Sequence, residues 1–207
     1  MQKALASGRD RPPVPLIVHH NSHVFARRGL TPAARVAALR AMARDLEAAG
    51  ATALALPSAS AHVYAPELSG ATDLPFLDML QAASVATAPA QRIGVLTSAT
   101  VRRAGLLQAY LPATVVYPDD ETALETLFEA QAAGADPDVL ATRLAQIVLP
   151  LASATDRILI ASTRLSRLAP LLPAGIDWVD ALDSLVSRVI VHAQTPVSTG
   201  KPIRADQ

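Results

Sequence analysis

Two serines stand at matching places in this chain. Ser58 closes the run Leu54-Ala-Leu-Pro-Ser58, and Ser162 closes Ile158-Leu-Ile-Ala-Ser162, 104 positions later. An alcohol becomes a nucleophile or proton carrier only beside a general base. His62 is the nearest base in sequence, four residues after Ser58, a spacing that brings two side chains together if both are helical. Both residue types also have plainer roles. Strand-end serines satisfy local amides, and a histidine near a helix start caps or packs. An arginine aimed into a crevice clamps a carboxylate with two hydrogen bonds. Arg27 and Arg164 fit that description, and each also reads as a solvated surface charge. His19, His20 and His23 are spaced like metal ligands, but His19 and His20 point to opposite faces of a strand and no carboxylate stands nearby. No metal site is expected. Cysteine is absent and Gly is only 9. That removes disulfides, zinc–thiolate sites, iron–sulfur clusters and thiol nucleophiles. Neither GxGxxG nor a Walker motif occurs.

These residues need a scaffold, and the composition supplies one. The chain has 207 residues, 51% hydrophobic and 3% aromatic, so its core is aliphatic. Lys+Arg and Asp+Glu are each 18, without the basic excess of a nucleic-acid binder. The amino-terminal residues lack the apolar run of a signal peptide. The stretch from Ala48 to Pro66 carries Gly, Pro, Ser and His and is a poor membrane span. A soluble, cytoplasmic protein is expected. Short apolar runs alternate with helical spacing. Strands are predicted over 14–20, 51–58, briefly at 74–77, and over 92–98, 114–118 and 157–162. Thr31 with Pro32 opens a helix to Gly50, and a short helix begins near Ser60. Helix is predicted up to about Thr87 and across Val101–Leu111. Asp119 or Asp120 caps the helix that carries Leu124, Leu127 and Phe128. Asp136-Pro137 opens another, kinked or shortened at Pro150. Asp177 caps the last, with Trp178 packing near its start, and Ser98 and Thr100 read as turn and cap residues. Strand–helix alternation with continuously apolar strands means parallel sheets covered on both faces. Open sheets of this kind bind ligands at the carboxyl ends of their strands.

The motif-bearing stretches resemble the cofactor-independent aspartate/glutamate racemase superfamily, nearest its aspartate racemase branch. That family carries Pro-Cys-Asn-Thr-Ala-His after one strand, where this chain has Pro57-Ser58-Ala59-Ser60-Ala61-His62. It carries Gly-Cys-Thr-Glu after a later strand, matched by Ala161-Ser162-Thr163-Arg164. Between them Leu96-Thr97-Ser98-Ala99-Thr100 is similar to Leu-Ala-Thr-x-x-Thr. His20-Asn21 through Arg27 is similar to Asn-Asn-Pro-x-x-Pro-Asp-Arg. The spacing agrees from about residue 10 to residue 193. The resemblance implies an α/β fold of two similar lobes, with parallel sheets flanked by helices and the active-site crevice between them. Residues 1–90 would form the first lobe, with helix 177–193 packing back on it. Residues 91–176 would form the second, and 194–207 a mobile tail.

In the family two cysteines flank the substrate α-carbon, one thiolate removing the proton and the other thiol donating one. The resemblance therefore puts Ser58 and Ser162, with His62, at the catalytic positions. It puts Asn21, Ser60, Thr97, Thr100, Thr163 and Arg164 around the ligand, with Arg27 at a distal carboxylate. It implies no cofactor, pyridoxal phosphate included, a role in amino-acid metabolism and a small carboxylate or amino acid as partner. No nucleic acid or membrane partner is implied, and a homodimer is compatible with it. The departures are specific. Serine stands at both cysteine positions, Ala59 at the Asn and Arg164 at the Glu. The family's first strand and Gly-rich loop have no counterpart. An alcohol ionises about five units above a lowered thiol, which costs about 7 kcal/mol. The expectation is a diverged racemase-like protein that acts on or binds a small amino or dicarboxylic acid, without thiol two-base chemistry. The alternatives are a catalytically silent structural or carboxylate-binding homologue, and a lyase or serine-dependent hydrolase in the same crevice.

Overall fold

The computed structural model describes residues 13–24 and 30–195. Helix α1 (Pro32–Ala48) starts where local chemistry requires it. Thr31 Oγ1 accepts the Ala34 amide at 3.2 Å, and Pro32 sits where a missing N–H costs nothing. Its Leu39 and Ala43 are buried with Leu54 and Leu68. Strand β1 (Leu54–Ala55) is followed by a 3₁₀ turn, Ser60–Tyr64, and by α2 (Ala65–Ser69). Strand β2 (Phe76–Leu77) leads into α3 (Met79–Thr87), and β1 and β2 pair in parallel.

A larger sheet follows. Its strands are β3 (Arg92–Leu96), β4 (Thr114–Val116), β5 (Arg157–Ile160) and β6 (Trp178–Asp180), all parallel, in the order β4-β3-β5-β6. Side-chain alternation splits the central strands between two apolar layers. Ile93, Val95 and Leu159 face a layer containing Met79, Leu80, Ala181 and Leu185. Leu96, Ile158 and Ile160 face one containing Leu124, Leu127, Leu144 and Val148. The helices that provide these layers are α3 and α9 (Ala181–Gln194) on one side, and α6 (Ala123–Ala132) and α7 (Pro137–Ser153) on the other. The fold is α/β with parallel sheets flanked by helices. No described helix is long and apolar enough to cross a membrane.

Several expected elements change. Residues 14–20 form no strand, and Leu16, Ile17 and Val18 are 49%, 50% and 80% exposed. An apolar run becomes a strand only with a neighbour to receive its N–H and C=O groups, and among the described residues 14–20 pair with no strand. The strand expected over 51–58 contracts to two residues, because Pro57 has no N–H and the Ser58 amide turns back onto the Leu56 carbonyl at 2.9 Å. The helix expected across 101–111 divides into α4 (Ala99–Arg103) and α5 (Leu106–Tyr110), since Gly105 takes φ +63° and stops the first. Asp120 does not cap α6; its Oδ1 accepts the Thr122 amide and hydroxyl, both at 2.8 Å, in the loop before it. Pro150 does not shorten α7, which runs on to Ser153. Asp177 caps nothing: it pairs with Arg157 at 2.7 Å, and residues 178–180 are a strand laid against β5. Asp180 caps the last helix instead. Residues 196–207 of the expected tail lie outside the described residues.

Gly94 in β3 is packed against side chains that leave no room for a Cβ. A Cβ there would lie 2.7 Å from Ile158 Cδ1, 2.7 Å from Leu151 Cγ and 2.9 Å from Thr155 Oγ1. Gly94→Ala is expected to cost about 1–3 kcal/mol by overpacking. Scanning calorimetry should register a fall in Tm of about 3–10 °C. An unchanged Tm would mean that α7 yields freely.

Candidate functional site

Ser58 sits three residues past β1, half-buried, with its Oγ 3.4 Å from Ser60 Oγ. Ser60 is exposed at the start of the 3₁₀ turn. That turn folds His62 inward until only 2% of it is exposed. His62 Nδ1 lies 2.7 Å from the Ser58 carbonyl, not its hydroxyl. A carbonyl only accepts, so Nδ1 carries a proton. Nε2 receives the Met79 amide at 3.2 Å and stands 3.4 Å from Asp78 Oδ1. The imidazole thus joins the Ser58 loop to the amino end of α3, and both its nitrogens are engaged.

Asp78 is the hub of this end. Its Oδ1 accepts the Leu80 and Gln81 amides at 2.7 and 2.9 Å, and its Oδ2 accepts the Tyr110 hydroxyl at 2.8 Å. Burial pushes its carboxyl upward, but His62, the Gln81 amide and Tyr110 outweigh burial and hold it at about 2. Tyr110 is pushed up to about 12, by burial first and then by its bond to Asp78.

Ser162 follows β5 and precedes the short helix α8 (Thr163–Ser166), in extended backbone with no capping bond from its side chain. Its carbonyl accepts the Ser166 amide at 3.0 Å and lies 3.2 Å from Ser166 Oγ. Ser166 Oγ also lies 3.0 Å from Asp180 Oδ1. Burial raises the Asp180 carboxyl, against bonds from Ser166 and the Leu182 amide. Thr97 is buried at the end of β3 and donates to the Ala161 carbonyl at 2.9 Å. It fastens the two central strand ends just before Ser162.

The remaining expected contacts spread out. Thr163 and Thr100 are exposed in the first turns of α8 and α4, and Ser98 caps α4 through the Val101 amide at 3.4 Å. The Arg164 guanidinium lies 5.1 Å from the Phe128 ring centroid. Asn21 Oδ1 accepts the His23 amide at 3.1 Å, closing a local turn. Arg27 lies outside the described residues. His19 faces Asp45 at 3.7 Å, and among the described residues no three His, Cys, Asp or Glu side chains gather into a metal-binding set. Two clefts lie elsewhere. One of about 560 Å³ runs between the loop after β4 and α7, and one of about 580 Å³ lies at the amino ends of β3 and β4. Neither is lined by Ser58 or Ser162. What links the two serines is the core beneath them: Ala59 and Ala161, their neighbours, belong to one buried cluster with Leu77, Met79 and Ala181.

Sequence reasoning passed over Asp78, Tyr110, Ser166 and Asp180. Both aspartates precede apolar helical runs, the signature of an N-cap, and that signal was available. Tyr110 had none, since it reaches Asp78 across 32 residues.

The fold defines a class: an open parallel α/β protein with polar groups collected at its strand ends. A model of the Asp/Glu/hydantoin racemase family matches residues 1–189, and the chain belongs to that family. No curated protein matches it significantly. Among solved structures it is similar to an aspartate racemase homologue from Pyrococcus horikoshii, with TM-score 0.75, 17% identity, and 94% and 90% of the two chains covered. It is similar to the Picrophilus torridus aspartate racemase, at 0.63 and 17%, covering 77% and 69%. It is also similar to an unliganded arylmalonate decarboxylase, at 0.53 and 16%, covering 81% and 79%. At these identities the likenesses bear on the fold.

Proposed function

We propose that this chain binds a small amino or dicarboxylic acid between the strand-end loops of Ser58 and Ser162, and that it does not use a thiol two-base mechanism. The observation that carries this reading is the shared core under the two loops, with Ala59 and Ala161 in one buried cluster. The family supports it too, since aspartate racemases and an arylmalonate decarboxylase, by their names, work on acids. Hydroxyls, amides and arginine suffice to recognise a carboxylate. In this reading Ser58, Ser60, Ser162 and Thr163 supply hydroxyls, Asn21 and Thr100 flank them, Arg164 borders the site and Arg27 meets a distal carboxylate. Thr97 holds the Ala161 backbone.

A binding role that lacks catalysis is favoured over a serine hydrolase by the His62 geometry. A hydrolase needs imidazole at the serine hydroxyl, and here it meets the carbonyl.

Affinity should be low. Ala59 offers no amide at the motif's Asn position, and each missing charge-assisted bond costs about 1.5–3 kcal/mol. Dissociation constants from high micromolar to millimolar are expected for aspartate, glutamate, malate and succinate, on the order of 4–6 kcal/mol of binding. NMR shift mapping measures them. Arg27→Ala should abolish the preference for dicarboxylates over monocarboxylates. Absence of any binding would sink the reading and leave a structural homologue.

A further inference from the structure

The two serine loops are built alike beyond the serines themselves. Four residues after each serine stands a side chain that returns to that serine's carbonyl. His62 Nδ1 reaches Ser58 O at 2.7 Å, and Ser166 Oγ reaches Ser162 O at 3.2 Å. Each of these side chains also reaches the amino end of a packed helix: His62 Nε2 accepts the Met79 amide at 3.2 Å beside Asp78, and Ser166 Oγ lies 3.0 Å from Asp180 Oδ1. Each aspartate closes a strand and caps the next helix. Asp78 follows β2 and caps α3, while Asp180 ends β6 and caps α9 through the Leu182 amide at 2.8 Å. Helices α3 and α9 share one apolar layer, Met79, Leu80 and Ala83 with Ala181 and Leu185. The sequence offsets between the halves are 104 for the serines, 104 for the tethering side chains and 102 for the aspartates.

We propose that His62 with Asp78, and Ser166 with Asp180, are matched positioning brackets. Each ties the backbone of a strand-end serine to the amino end of a packed helix and thereby sets where the serine hydroxyl stands. This rests on the reading of Ser58 and Ser162 as the ligand-contacting pair. Serine has a single side-chain rotation with three staggered positions, so its hydroxyl goes where its backbone is held. The need is unequal in the two halves. Ser58 follows a strand of only two residues, and among the described residues its backbone has, besides the His62 tether, the bond from its amide to the Leu56 carbonyl. The Ser162 carbonyl also holds the Ser166 amide, so losing that hydroxyl leaves one tether in place. His62 and Ser166 are positioning residues; neither touches the ligand in this account.

The absence of cysteine from the chain makes a local readout available. In S58C or S162C the new thiol is the only one, and its ionisation and its rate with an aromatic disulfide report its surroundings. Each is combined with a bracket substitution. His62→Asn keeps an N–H near the Nδ1 position, whereas His62→Gln moves the amide toward Met79 and releases the Ser58 carbonyl. Ser166→Thr keeps the hydroxyl, and Ser166→Ala removes it. His62→Gln should change the S58C rate by about fivefold or more and leave S162C within about twofold, with His62→Asn restoring it. Ser166→Ala should change S162C by about two- to threefold and spare S58C, with Ser166→Thr restoring it. Equal effects on both thiols, effects on neither, or no difference within the conservative pairs would overturn the proposal. If His62→Gln does not fold, the Ser166 pair decides alone. Succinate titration of the unsubstituted protein separates the two ideas. Local thiol effects without succinate binding keep the brackets and remove the ligand reading, while binding without local effects does the reverse.

Discussion

Aspartate and glutamate incubated with this protein in deuterated water should keep their α-hydrogen, with exchange no faster than in buffer. The base for that proton must be ionised, in contact and matched in pKa. A thiol near 8.5 can be lowered to neutrality, but an alcohol begins several units higher. A gap of about five units costs about 7 kcal/mol, or about 10⁵ in rate. The surroundings of the serines do nothing to close it. Ser58 Oγ has Ser60 Oγ as its neighbour at 3.4 Å. The nearest imidazole is bonded to the Ser58 carbonyl and the Met79 amide. Proton NMR of the α-resonance measures the exchange directly. Exchange at enzymic rates would defeat the argument and would require His62 to leave both backbone partners. The double variant with Ser58→Cys and Ser162→Cys is the informative companion. Exchange gained there would trace the silence to the missing thiols.

Asp78→Ala should be the most damaging single change at the site. It removes the α3 cap, worth about 0.5–2 kcal/mol, and leaves the Tyr110 hydroxyl without its carboxylate partner. The combined loss is expected to be about 3 kcal/mol, since hydrogen bonds to charged groups run at about 1.5–3 kcal/mol each. The acid limb of stability carries the same signature. Asp78 moves from an ordinary 3.8 to about 2 on folding. A lowered carboxyl stabilises the fold above its unfolded value, and the contribution disappears as pH falls from about 4 through 2. Its size is at most about 2 kcal/mol once solvent screening is allowed for. Asp180 works the other way: its carboxyl is raised by burial, so its contribution declines as pH rises above 3.8 through the raised folded value. Urea denaturation between pH 2 and 7 separates the two. Asp78→Asn should retain most of the cap and flatten the limb between pH 4 and 2. A limb unchanged in Asp78→Asn would assign the acid sensitivity to other groups.

Local chemistry made much of the scaffold readable. Thr31-Pro32 and Asp136-Pro137 announce α1 and α7 because a cap and an imino ring act on the adjacent turn. The strands β3 and β5 are continuous apolar runs, the pattern demanded by a sheet covered on both faces. From those runs and the motifs that follow them came the α/β class, the family and the two serine loops. Other outcomes depended on neighbours far away in sequence. Residues 14–20 and 178–180 are both short segments, and no periodicity distinguishes strand from helix at that length. Residues 178–180 meet the edge of β5 and become a strand, whereas 14–20 pair with no strand among the described residues. The partners of His62 were likewise decided in three dimensions. Its spacing from Ser58 is local, but its orientation is set by the Met79 amide and Asp78, 17 and 16 residues on. A buried imidazole with one carbonyl and one amide within reach takes both, because leaving a buried ring nitrogen unpaired costs more than either bond returns.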